Sequence, residues 1–226
     1  MVMIVFGKQS VCYILENFPH LIQEIYFSKE IDKKLFVKFS QLKKPILRID
    51  NKKAQSLAKN GNHQGFFLKI TPISSTSFKE IKTMKKILVL CGLTDVGNIG
   101  SIFRSAYCFG IDAVILSGIK SFSVEGVIRS SVGAILQIPF CIIENTMDLI
   151  HELKSKGFFL YGADMSGKDI TECAIAQKYA LFLGNEANGL GGKILSKLDT
   201  ITSIRMHSGF DSLNVAVAAG ILMHRM

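Results

Sequence analysis

Three stretches of this 226-residue chain set polar side chains beside glycines directly after apolar runs, where backbone lies open to a ligand while a side chain acts on it. In Thr94-Asp95-Val96-Gly97-Asn98-Ile99-Gly100-Ser101-Ile102-Phe103-Arg104, the two glycines permit close approach at a helix amino end, a place suited to a phosphate or another anion. Arg104 follows about a turn and a half later. In Leu183-Gly184-Asn185-Glu186-Ala187-Asn188-Gly189-Leu190, Glu186 comes directly after a buried type of strand and can accept hydrogen bonds beside exposed backbone. In the third, the β-prone Ser203-Ile204-Arg205-Met206 leads through the turn His207-Ser208-Gly209-Phe210-Asp211 into Ser212-Leu213-Asn214. The segment beyond, to Met223, is apolar on nearly every side and reads as a buried helix. Asp211 or Ser212 is placed to cap it, so Asn214 falls inside an apolar cylinder where its amide must find partners. Either it bonds a neighbouring loop or, with Ser212, it orients a site at the helix's amino end.

The elements that must carry these stretches alternate from Lys86 onward. Strands are expected at Ile87–Cys91, Ala113–Leu116, Pro139–Ile143, Phe158–Ala163 and Ala180–Leu183, and helices at Ile99–Phe109, Val124–Leu136, Met147–Lys156 and Gly192–Leu198. Such alternation predicts an α/β domain with a mostly parallel sheet covered on both faces, where ligands gather at strand carboxyl ends. Before it, residues 1–72 read as a small α/β unit: helix Gln9–Phe18, strand Ile22–Phe27, helix Asp32–Phe39, strand Pro45–Ile49, helix Lys52–Lys59 and strand Gly65–Ile70. Residues 73–85, polar at their start after Pro72, are the expected linker, and residues 86–226 the second domain.

Charge separates the two halves. Through Lys86 there are 16 Lys and Arg against 6 Asp and Glu, a balance of +10, whereas the remainder carries 11 against 12, a balance of −1. A basic leading unit suits phosphate backbones, or a lysine-rich surface kept for solubility. The five cysteines (Cys12, Cys91, Cys108, Cys141, Cys173) show no CxxC pair, so they predict neither a disulfide framework nor a zinc site and read as small buried hydrophobes. No apolar run reaches the length of a membrane span, and no charged leader with a cleavage site opens the chain, so a cytoplasmic protein is expected. The first glycine stretch is not GxGxxG, and no acidic residue ends the second strand, which disfavours a nicotinamide cofactor.

Asp95 to Ala106, Leu183 to Leu190 and Ser212 to Ala218 together resemble, in order and at matching spacing, the three motifs of the SpoU/TrmH family of RNA ribose 2′-O-methyltransferases. The leading segment, with Phe6-Gly7-Lys8-Gln9-Ser10-Val11 and Asn62-His63-Gln64-Gly65-Phe66, resembles the ribosomal-protein-like substrate-binding domain of members that modify large-subunit ribosomal RNA. The resemblance implies a homodimer whose second domain ends in a trefoil knot. It places S-adenosylmethionine against the backbone at Gly184, Ile204, Met206 and Leu213. It assigns Asn98, Arg104, Glu186, Ser212 and Asn214 to the reaction centre and has Arg104 reach the partner subunit's site. It implies RNA as partner, ribosomal RNA first, and no metal. Transfer RNA, or RNA binding without catalysis, are the alternatives. Arg104 is a poor proton acceptor because a guanidinium stays charged; it either stabilises a developing alkoxide or acts as the base.

Overall fold

The computed structural model describes residues 2–186, 188–207 and 212–226. They form two compact units: Met1–Ser74 with Val124–Gly133, and Ser75–Ser123 with Ala134–Met226.

The first unit runs β1 (Met3–Phe6), α1 (Lys8–Asn17), β2 (Ile22–Phe27), α2 (Lys33–Ser40), β3 (Ile46–Arg48), α3 (Asn51–Ala58) and β4 (Phe66–Ile70). Its sheet has the order β1-β4-β2-β3; β4 is antiparallel to both neighbours, and β3 is parallel to β2. Asp32 and Asp50 begin α2 and α3 by accepting from the first free backbone amides, Lys34 and Leu35 in one case and Lys53 in the other. Fully buried Phe27 holds the layers together, with the Phe39 ring 5.2 Å and the Phe66 ring 5.7 Å away, both edge-on. Strand β1 falls outside the expected elements. Four apolar residues are a short run even with Gly7 to close it, and their strand exists through pairing with β4.

The second unit runs α4 (Phe78–Ile81), β5 (Lys86–Cys91), α5 (Val96–Cys108) and β6 (Ala113–Ser117). The chain then supplies α6 (Val124–Ser130) to the first unit and returns as β7 (Phe140–Ile143), α7 (Thr146–Ser155), β8 (Phe159–Asp169), β9 (Tyr179–Leu183), α8 (Gly192–Leu195), β10 (Thr200–Ser203) and α9 (Val215–Arg225). All six strands are parallel, in the order β10-β8-β9-β5-β6-β7, which is the α/β parallel sheet expected from the alternation. Every residue of β9 and of β6 is buried, as strands covered on both faces require. Strand β8 outruns its expected end. It pairs with β10 at Tyr161 and Gly162, then again at Lys168 and Asp169, so residues 163–167 bow out between the paired positions.

Three expectations change. The segment Val124–Leu136 is not one helix: Val132 (φ 55°) and Gly133 (φ 88°) break it, and a Cβ on Gly133 would overlap the Tyr13 ring. Helix α9 is not buried all round. Val215, Ala219, Leu222 and Met223 face the core, while Val217 and Ile221 are 50% and 37% exposed. Of the cysteines, Cys91 and Cys141 are buried, and burial pushes both thiols up to about 12, but Cys108 is exposed.

Candidate functional site

Past the carboxyl ends of β9 and β10, and beside the middle of β8, lies a cavity of about 560 Å³, within the range of small-molecule sites. Its walls include Leu183, Gly184, Glu186, Ile204, Met206, Ser212, Leu213 and Asn214, so seven of the nine expected site residues line one space. All sit just past a strand end or just before a helix, where backbone is not consumed by the ladder.

Asn214 does not stand inside the terminal helix but at its cap. Its Oδ1 accepts from Ala216 N at 2.9 Å and Val217 N at 3.3 Å, the role expected of Asp211 or Ser212. Ser212 lies two residues ahead, and Asp211 lies outside the described residues. The other half of the Asn214 amide is free for the site: Nδ2 donates to Asn98 Oδ1 at 2.9 Å. Asn98 in turn donates through Nδ2 to Glu186 Oε1. Its own helix is capped by Asp95, which accepts from Asn98 N at 2.7 Å, so α5 begins one turn earlier than expected and the Asn98 side chain projects from its first turn. The three stretches singled out by type and spacing are thereby joined in one relay, Asn214 to Asn98 to Glu186.

Arg104 stands apart. Six residues along α5 turn it about 120° around the axis from Asn98. It is exposed, does not line the cavity and has no hydrogen bond or ion pair among the described residues. Gly184 lines the cavity and is also required by the packing of its own loop. A Cβ there would overlap the Gly189 carbonyl and the Leu190 nitrogen, because the loop after β9 folds back on itself with Gly189 N donating to Asn185 O at 2.9 Å. Between Ile204 and Met206, Arg205 is drawn outward to Asp169 Oδ2 at 3.2 Å and Glu172 Oε1 at 3.4 Å. Hydrogen bonds from Thr171, and then the charge of Arg205, hold Asp169 below the usual carboxylate range.

The structure adds residues that the spacing did not single out, Ala163, Asp164 and Met165 from the bow in β8, and brings Thr202 and Ser203 of β10 into the same lining. The available signal was the turn-prone Asp164-Met165-Ser166-Gly167 directly after an apolar run. Among the described residues no three His, Cys, Asp or Glu side chains gather as a metal site.

Comparison with known proteins follows the same division. Residues 85–224 match the SpoU rRNA Methylase family, and residues 4–76 match the domain described as RNA 2′-O ribose methyltransferase substrate binding. An uncharacterized tRNA/rRNA methyltransferase of Borreliella burgdorferi is 34% identical over 193 residues, 79% of this chain and 85% of its own. The AdoMet-bound rRNA methyltransferase from Sinorhizobium meliloti shares the fold at a TM-score of 0.76 and 22% identity, covering 99% of this chain and 86% of that one. The SpoU methyltransferase AviRb from Streptomyces viridochromogenes, in complex with AdoMet, does so at 0.78 and 21%, covering 99% and 88%. The chain belongs to the SpoU/TrmH family of RNA methyltransferases.

Proposed function

We propose that the protein transfers a methyl group from S-adenosylmethionine to a ribose 2′-hydroxyl of RNA, with 23S-type ribosomal RNA as substrate. The observation that carries this reading is the relay Asn214–Asn98–Glu186 at a cavity whose lining includes two carboxylates, Asp164 and Glu186, and no Lys, Arg or His among the described residues. In a chain of net charge +9, that lining suits a cationic ligand with an apolar body. Open backbone at Gly184, Ile204, Met206 and Leu213 would hold the donor, and the side chains of Leu183, Val215 and Leu222 would exclude water from it. The donor supplies its methyl on a sulfonium. The acceptor's hydroxyl proton would pass to a phosphate oxygen of the RNA or to water, while the chain's own residues hold the geometry: Asn98, fixed from both sides, orients Glu186, and Ser212 and Asn214 hold the entry to α9.

Arg104 faces away from its own cavity, which supports its use in a second copy of the chain. The apolar surface for such a homodimer is present in the catalytic unit. Val217 and Ile221, one turn apart on α9, are exposed, as are Tyr107 and Phe109 at the end of α5, against which α9 packs. The route of the chain from the β10 edge of the sheet back to α5 supports a C-terminal trefoil knot. The basic leading unit would carry the RNA, and the expected compartment is the cytoplasm; no helix among the described residues is long and apolar enough to cross a membrane. The test is methyl transfer from radiolabelled S-adenosylmethionine to ribosomal and transfer RNA from cells lacking the protein, followed by mapping of 2′-O-methyl positions. A new ribose methyl in large-subunit RNA is expected. Methyl groups only on bases, or only in transfer RNA, would overturn the assignment.

A further inference from the structure

Strand β8 keeps step with β10 through Gly162 and again from Lys168, and the five residues between bow out beside the cavity. Bulges of this kind re-aim side chains at sheet ends. Here the bow carries Asp164, which is half-buried and held in one orientation: its Oδ1 accepts from Ser166 N at 3.0 Å and from Ser166 Oγ at 2.7 Å. Its Oδ2 has no hydrogen bond or ion pair among the described residues and is turned toward Gly189, 3.9 Å from where a Cβ on that glycine would stand. Of the two carboxylates in the lining, Glu186 is already engaged by Asn98. Each of the two leaves one oxygen without a hydrogen bond among the described residues, but Glu186 is exposed whereas Asp164 is half-buried, so the free Asp164 oxygen is the one shielded from water, and no basic side chain in the lining neutralises it.

We infer that Asp164 is a specificity residue for the charge on the methyl donor, so that the site holds the cationic donor more tightly than the neutral thioether left after transfer. This rests on the reading of the cavity as the donor site. A fixed carboxylate in a site partly shielded from water attracts a positive sulfur centre, and the attraction ends when the methyl leaves, since the sulfur then carries no charge. The adenosine and amino-acid portions are the same before and after, so the discrimination requires a group that responds to charge rather than to shape.

The test is calorimetric binding of three ligands to the full chain: S-adenosylmethionine, S-adenosylhomocysteine, and sinefungin, which carries a protonated amine in place of the sulfonium. Asp164→Asn keeps the size and the acceptor for Ser166, and its thermal unfolding midpoint provides the control for folding. The expected result is that affinity for the two cationic ligands falls on the order of thirty- to a hundredfold, the scale of a unit charge at an effective dielectric of about 20 and roughly 6–8 Å, while affinity for S-adenosylhomocysteine stays within about twofold. Ser166→Ala, which frees the carboxylate to turn, should move the ratio in the same direction by less. Equal weakening of all three ligands would overturn the inference, since the carboxylate would then hold a part they share, such as the ribose hydroxyls. No change in the ratio would also overturn it. If the wild type binds none of the three, the donor reading itself fails, and this inference with it; binding by the wild type with an unchanged ratio in Asp164→Asn sinks the inference alone.

Discussion

Asn214 does two jobs with one amide, and two substitutions separate them. Asn214→Ala removes the acceptor for Ala216 N and Val217 N and the donor to Asn98 Oδ1. Loss of a cap costs about 1 kcal/mol, and loss of a hydrogen bond about another 1 kcal/mol. Together they should lower the unfolding midpoint of the catalytic unit by roughly 4–8 °C, at about 2–4 °C per kcal/mol for a unit of this size. Asn214→Asp keeps the cap and adds a negative charge at the positive end of α9, so stability should stay close to wild type. It cannot keep the relay. Asn98 already has the Glu186 carboxylate on one side; with a second carboxylate on the other, its amide oxygen faces an anion whichever way it turns. Both variants should therefore lose at least about tenfold in methyl transfer, and only the alanine variant should lose stability. Differential scanning calorimetry and a single-turnover assay read the two effects. Full activity in a folded Asn214→Asp protein would refute the relay, and an unchanged midpoint in Asn214→Ala would refute the cap.

Gly184→Ala should destabilise the loop after β9 by roughly 3 kcal/mol and abolish donor binding, because the new Cβ meets backbone that cannot turn aside; denaturant unfolding with calorimetric titration checks this. Arg104→Ala should bind donor normally yet lose a hundredfold or more in rate, on the order of 3 kcal/mol. Mixing it with Asn214→Ala chains under subunit exchange should restore activity, and verified heterodimers that stay inactive would disprove a shared site. In the leading unit, burial and then the nearby Lys29 hold His63 below its ordinary pKa, and its Nδ1 accepts from Gly65 N at 3.0 Å. Its folded value lies below its unfolded one, so its contribution is complete above pH of about 6.5 and is lost as pH falls through the folded value. His63→Asn should flatten the acid side of that unit's stability profile; an unaltered slope would assign the loss to other groups.

Much of this architecture could be read before the structure. The five strands β5 to β9 are legible because a parallel strand covered on both faces needs an unbroken apolar run, and Ile87 to Cys91 or Ala180 to Leu183 has no other reading of that length. What escaped depends on partners far along the chain. Strand β1 needs β4, and at Gly133, where the helix breaks, the ring of Tyr13 leaves no room for a Cβ. Among site residues, the motif asparagines and Glu186 could be picked out by their glycines, but not the manner of their joining, since a cap at Asn214 and a cap at Ser212 differ by two residues that apolar periodicity does not resolve. Asp164 stayed hidden because a bow in a strand has the same composition as an ordinary turn at its end.

The hydrogen bond between Asn98 and Asn214 joins residues 116 apart, and the one between Asn98 and Glu186 joins residues 88 apart. A ribosome adding about 5–20 residues per second makes Asn98 some 6–23 seconds before it makes the asparagine that completes the relay. Throughout that interval the emerging chain, already bearing its basic leading unit, lies amid the most concentrated ribosomal RNA in the cell without a finished reaction centre. Sequence separation thus acts as a timer: a nascent chain can touch RNA long before it can modify any.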